Sequence, residues 1–135
     1  MIPNTIALCL LPVATIKMAI RSYKDLMVWQ RSMDLVESIY RITDKLPAKE
    51  QWGLVSQMRR AAVSVPSNIA EGYGRQSSGN YIQFLSISRG SLLELETQLE
   101  LCIRLQYFTR IDSEKILNET MEINKMLTSL ISKIK

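Results

Sequence analysis

Histidine is absent from all 135 residues, and cysteine occurs only as Cys9 and Cys102. Without histidine, Ser-His-acid and Cys-His nucleophilic sites are excluded, as is the Glu-x-x-His ligation of di-iron bundles. Two cysteines so far apart form neither a disulfide framework nor a zinc spacing, a usage that fits a reducing, cytoplasmic compartment. Four prolines and five glycines are too few for a fibrous repeat or a low-complexity linker. Long apolar runs are lacking too. Ile6 to Ile16 is broken by Pro12 and falls short of the roughly 20 residues needed to span a bilayer, so no membrane partner is expected. No Lys or Arg precedes Lys17 to form the basic leader of a secretory signal. Residues 1–21 therefore read as a poorly packed arm, or as sequence ahead of a start at Met18, and residues 22–135 as the folded domain.

What is present is a chain that is 47% hydrophobic, enough for one core but too short for two. Its formal charge of +4 favours polyanions modestly, and it is spread along the chain with no basic tail. Any nucleic-acid surface must be assembled by folding or by association of subunits.

Four segments carry helical periodicity. From Asp25 to Lys45, the residues Leu26, Trp29, Met33, Val36 and Tyr40 form a stripe that Ile39 and Ile42 widen, and Leu46-Pro47 ends it. A second helix is expected from about Glu50 to Tyr73, with Leu54, Met58, Ala61, Ala62, Val65, Ile69 and Tyr73 inward. Arg60, Ser64, Ser67 and Glu71 form its polar side. Pro66 should kink this helix unless Ser64 caps a new one, and Gly72 and Gly74 can supply positive φ at its end. Ser77 or Ser78 caps the third, which reaches about Tyr107 with Tyr81, Phe84, Leu85, Ser88, Leu92, Leu95, Leu99, Cys102 and Ile103 on one broad face. After a turn at Tyr107 to Ile111, Asp112 or Ser113 caps the last, in which Ile116, Ile123, Leu127, Leu130 and Ile134 recur. An all-α, up-and-down antiparallel four-helix bundle buries these stripes most simply. Ile39, Ile42, Val63 and Ala70 lie beyond what a slim core requires and argue for self-association.

Candidate chemistry is sparse. Glu94 and Glu96 point apart on one helix, and Cys102 reads as a small buried hydrophobe. Gly72-Tyr73-Gly74 lacks the spacing, lysine and preceding strand of a phosphate loop. No enzyme chemistry, metal or cofactor is expected. Arg59, Arg60, Arg75 and Arg89 remain as nucleic-acid-binding candidates, since guanidinium groups grip phosphates bidentately. They can equally pair with Glu71 and Glu94 within or between subunits.

The segments YKDLMVWQRSMDLVESIY (Tyr23 to Tyr40), SQMRRAAVSVPSNIAEGYGR (Ser56 to Arg75) and YIQFLSISRGSLLELETQL (Tyr81 to Leu99) together resemble a known family. It is the four-helix bundle family associated with intervening sequences of bacterial 23S ribosomal RNA genes, also called the S23 ribosomal protein family. The match covers about Ser22 to Leu130. It places Asp25, Trp29 and Gln30 in an opening signature, Arg59, Arg60, Asn68, Glu71, Gly72 and Arg75 in a central one, and Ser91, Glu94 and Leu95 in a third. The resemblance implies no enzyme chemistry. It implies a ring-like homopentamer, similar in fold to the accessory variability proteins of diversity-generating retroelements, whose basic barrel binds nucleic acid and a reverse transcriptase. Two readings stay open: an oligomeric module that binds RNA or DNA, and a structural or protein-interaction scaffold in which Trp29, Asn68, Glu71, Gly72 and Glu94 serve packing and pairing.

Overall fold

The computed structural model of the protein describes residues 20–135, so the expectation for the leading arm lies, but for its last two positions, outside the described residues. Four helices follow: α1 (Met27–Thr43), α2 (Ser56–Tyr73), α3 (Ser78–Arg104) and α4 (Arg110–Ile134). Each packs on its neighbours in sequence, and α4 closes on α1. This is the expected up-and-down bundle.

Its core consists of Leu35, Ile39, Met58, Val65, Ile69, Leu85, Leu92, Leu95, Leu99, Ile123 and Leu127, which exclude water almost completely. The stripe on α1 is rotated from the expected one. Val28, Ser32, Leu35, Ile39 and Ile42 face inward, whereas Met33 and Tyr40 are exposed and Trp29 and Val36 are half-buried. Ile39 and Ile42 are therefore core rather than surplus surface. Both registers step by three and four, and Ser32 disguises the true one. Its hydroxyl donates to the Val28 carbonyl at 2.6 Å, which lets a polar side chain sit on the buried face.

The ends of the helices are set locally. Ser22 and Asp25 form a capping box around the 3-10 turn Tyr23–Asp25, so α1 begins at Met27, after the acidic residue. Between α1 and α2 stand a second 3-10 turn, Ala48–Glu50, and a wide turn, Gln51–Val55, that breaks at Gly53 with φ −106° and ψ −112°. A Cβ at Gly53 would lie 2.8 Å from Glu50 Oε1, and α2 starts after this corner, at Ser56 rather than near Glu50. The third helix ends at Arg104 and turns through Gln106, whose φ of 64° is the one positive value among the described residues. The cap of α4 is Thr109, rather than Asp112 or Ser113: Asp112 is the third helical residue and closes a capping box with Thr109.

Neither Gly72 nor Gly74 has the positive φ expected of it. Gly72 is buried where α2 meets α3, and a Cβ there would lie 2.8 Å from the Cβ of Phe84 and 3.1 Å from the Tyr81 ring. Close approach, not a turn, is what requires glycine. Helix α2 also runs through Pro66 without restarting at Ser64, so Ser64 is not a helix cap. Gly90, by contrast, is exposed inside α3 with nothing near its missing Cβ.

Gly72→Ala should lower the stability of the bundle by about 1–3 kcal/mol through overpacking. Gly90→Ala should raise it by up to about 1 kcal/mol through helix propensity alone. Urea unfolding of both variants checks this; equal effects would show that the α2–α3 contact is loose at Gly72.

Candidate nucleic-acid interface

The arginines of the central segment point in different directions. Arg59 reaches from α2 to the end of α1, donating from Nε to Thr43 Oγ1 at 3.0 Å and from a terminal nitrogen to the Tyr40 carbonyl at 3.3 Å and Asp44 Oδ1 at 3.1 Å. Its guanidinium also lies 4.5 Å from the centre of the Tyr40 ring. Thr43 donates in turn to the Ile39 carbonyl at 2.7 Å. A cation here satisfies the last carbonyls of α1 and complements its dipole.

Arg75 donates to Glu71 Oε1 at 2.6 Å and covers the Phe84 ring at 4.7 Å, an exposed clasp over the α2–α3 turn. Arg89 bridges α3 to α4 through Asn124 Oδ1 at 3.2 Å. Arg60 is exposed and makes no ion pair or hydrogen bond among the described residues. Arg60 and Arg75 stand about 22 Å apart along α2, at 1.5 Å per residue. The four candidates therefore do not converge on one patch.

Small polar residues close the seam between α2 and α3. Ser88 Oγ donates to the Val65 carbonyl at 2.9 Å, beside Pro66, and Ser91 Oγ donates to Ser64 Oγ at 2.9 Å. Asn68 Nδ2 donates to the Ser64 carbonyl at 2.8 Å and to Ser64 Oγ at 2.9 Å. Trp29 packs edge-on to Tyr23 at 5.3 Å, and Gln30 Nε2 donates to the Lys24 carbonyl at 2.9 Å, fastening the opening turn onto α1. Glu94 is exposed and accepts a long bond, 3.4 Å, from Gln98 Nε2. Burial pushes the Cys102 thiol up to about 11, against Met58 Sδ at 3.7 Å, which leaves it unreactive near neutrality.

Cationic positions that the sequence did not single out lie on the outer face of α4. Lys125 and Lys133 flank Asn124, Thr128, Ser129 and Ser132 in a shallow surface free of carboxylates. The open groove between α3 and α4 has the opposite character, with Glu96, Glu100 and Glu114 along it and Arg110 paired to Glu100 at 2.8 Å. A scan for charge runs misses both, because Lys125 and Lys133 lie eight residues apart and the charges of the groove come from two helices. Among the described residues, no helix is long and apolar enough to cross a membrane, and no cluster of His, Cys, Asp or Glu could hold a metal ion.

A family model described as "23S rRNA-intervening sequence protein" matches residues 24–129, which take in α1, α2, α3 and most of α4. The chain belongs to this family. A crystal structure of a Bacteroides thetaiotaomicron protein, described as of unknown function and from the S23 ribosomal protein family, is similar. The two are 32% identical with a TM-score of 0.70, over 78% of this chain and 98% of the other. No curated protein matches the chain. Family membership thus covers the bundle with its α2–α3 seam and carries no activity with it.

One carboxylate stands apart from the ion pairs. Glu119 on α4 has a buried Oε2 without a hydrogen-bond partner. Desolvation raises its pKa above the ordinary 4.5, with Asp34 and Glu122 adding to the rise and Lys115 and Arg31 opposing it. A raised folded-state pKa means that protonation stabilises the fold and that this contribution is lost as pH rises through the folded value. Glu119→Gln should therefore melt higher than the parent at pH 7, with the gap closing as pH falls below 4.5. A gap independent of pH in thermal melts would mean that Glu119 is solvated and paired.

Proposed function

We propose that the protein is a non-catalytic, homo-oligomeric bundle that binds RNA or DNA through phosphate contacts at one end. The observation that supports this is a segregation of charge along the bundle axis. The half holding the start of α1, the α2–α3 turn and the end of α4 carries Arg21, Lys24, Arg31, Arg75, Arg89, Lys125, Lys133 and Lys135. Against them stand only Asp25, Asp34, Glu71 and Glu122. In the other half the charges nearly cancel: Glu37, Asp44, Glu50, Glu94, Glu96, Glu100, Asp112, Glu114 and Glu119 stand against Arg41, Lys45, Lys49, Arg59, Arg60, Arg104, Arg110 and Lys115. Phosphate contacts position a nucleic acid without reading its sequence, so binding of this kind is strong at low salt and indifferent to sequence. Self-association would multiply the field of a +4 chain, and the resemblance to pentameric rings makes five the expected number.

A second reading, a protein-interaction scaffold, is favoured by Met33 and Tyr40 on α1, Val63 on α2, Leu93 on α3 and Met121 on α4, all exposed. Under it, Arg59 and Arg75 are helix clasps and nothing more.

The two part in one experiment on Lys125→Gln/Lys133→Gln and Arg75→Gln, with Arg60→Gln at the far end as a control, measuring duplex binding by anisotropy over a range of salt and mass by light scattering. The binding reading predicts affinity lost by similar factors on unrelated sequences, with the log-log salt slope flattened by about 0.9 per phosphate contact removed. Mass should be a multiple of 15.5 kDa, five times for the ring. Unchanged affinity and slope in every variant, with mass intact, would remove these residues from any such site. A single-chain mass would end the oligomeric account.

A further inference from the structure

We propose that Arg89 and Asn124, where α3 meets α4, form a preoriented grip for a phosphodiester group of nucleic acid, an inference that rests on the phosphate-binding reading. Arg89 is half-buried and donates from Nε to Asn124 Oδ1 at 3.2 Å. Its terminal nitrogens have no hydrogen bond or ion pair among the described residues.

The acceptor sets this contact apart. Three other arginines reach by polar bonds from one helix to another or to its cap, and a carboxylate neutralises each. Arg31 meets Glu122 at 3.1 Å, Arg59 meets Asp44 at 3.1 Å and Arg110 meets Glu100 at 2.8 Å. Those are clasps. An amide fixes the direction of a guanidinium without cancelling its charge, so Arg89 is oriented and still uncompensated. No Asp or Glu of α3 precedes Glu94, and Glu122, the carboxylate nearest Asn124 in sequence, is the one held by Arg31. A guanidinium that has lost part of its hydration and has no counter-charge is stabilised by an anion that supplies one.

The surroundings suit a phosphate. Asn124 shares a shallow surface with Lys125, Thr128, Ser129, Ser132 and Lys133, and no carboxylate lines it. With Nε taken, the edge formed by the terminal nitrogens is the one left for bidentate contact with two phosphate oxygens. No aromatic ring lines the surface either, so nothing there stacks on a base. Contacts of this kind follow the backbone and carry no sequence information. Lys133 stands about 12 Å from Lys125 along α4, at 1.5 Å per residue. A chain of repeated phosphates therefore engages more of the surface than a single phosphate does.

The test titrates the full chain into a labelled duplex over a range of salt, with a thermal melt of every variant. Arg89→Lys keeps the charge and loses the planar fork, and should weaken binding at least about fivefold. Arg89→Gln should weaken it further and flatten the log-log salt slope by about 0.9. Asn124→Asp keeps the acceptor and neutralises the arginine. It should weaken binding as much as Arg89→Gln does while melting at or above the parent temperature, a combination that a merely structural contact between α3 and α4 would not give. Parent-like binding by Arg89→Lys and Asn124→Asp, alongside weaker binding by Lys125→Gln/Lys133→Gln, would overturn the grip and leave phosphate binding by the basic half standing. Absence of duplex binding by the parent chain would remove both. Displacement of the duplex by inorganic phosphate beyond that by chloride at equal ionic strength would also overturn the proposal, because the site would then be one for a free phosphate.

Discussion

The close approach of α2 to α3 is the constraint on which the rest of the structure depends. Gly72 leaves no room for even a methyl group against Phe84, and the short side chains of Ser88 and Ser91 touch the backbone carbonyl of Val65 and the hydroxyl of Ser64. Such contacts need backbones near enough for a serine to span the gap. Ala61 and Ala62, both buried on α2, keep that side flat. Proline within a helix forfeits a hydrogen bond and costs about 3 kcal/mol in an exposed setting. Pro66 lies buried within α2, and Ser88 supplies a hydrogen bond across the seam to the Val65 carbonyl beside it.

That seam accounts for most of the chain's densest motif. The run SQMRRAAVSVPSNIAEGYGR reads as small residues toward α3, a hydrogen-bonded Ser64-Asn68 pair at the edge, a glycine where the helices touch, and a Glu71-Arg75 clasp over the turn. Arg59 fastens the other side of α2 to the end of α1. Of the motif's three arginines, only Arg60 faces solvent without an ion pair or hydrogen bond among the described residues. A segment that looks like a binding signature is thus largely a packing signature, and charge available to a polyanion gathers instead on α4 and at the ends of α1 and α2.

The architecture was legible from the sequence because four strong stripes, separated by short turns, permit few other folds. Inward residues of α2 and α3 were legible for the same reason. On α1 the register was not, because Ser32 and Thr43 occupy buried positions by bonding back to their own helix, a compensation that hydropathy does not register. The cap of α4 was missed because Thr109-Arg110-Ile111-Asp112 contains two residues able to cap, and the capping box decides for the first. The role of Gly72 was read as a turn because proximity between helices is a tertiary fact. Dispersal of the four arginines, and the basic face of α4, likewise follow only from how the helices are disposed in space.

The α2–α3 seam is tested most directly by a double-mutant cycle on Ser64 and Ser91, whose hydroxyl oxygens lie 2.9 Å apart. Equilibrium unfolding of Ser64→Ala, Ser91→Ala and the double variant would give their coupling free energy. A close, hydrogen-bonded seam predicts non-additivity of about 0.5–1.5 kcal/mol, with the double variant less destabilised than the sum of the singles. Strict additivity would contradict it, showing that the two helices lie side by side without the contact that the motif is here taken to exist for.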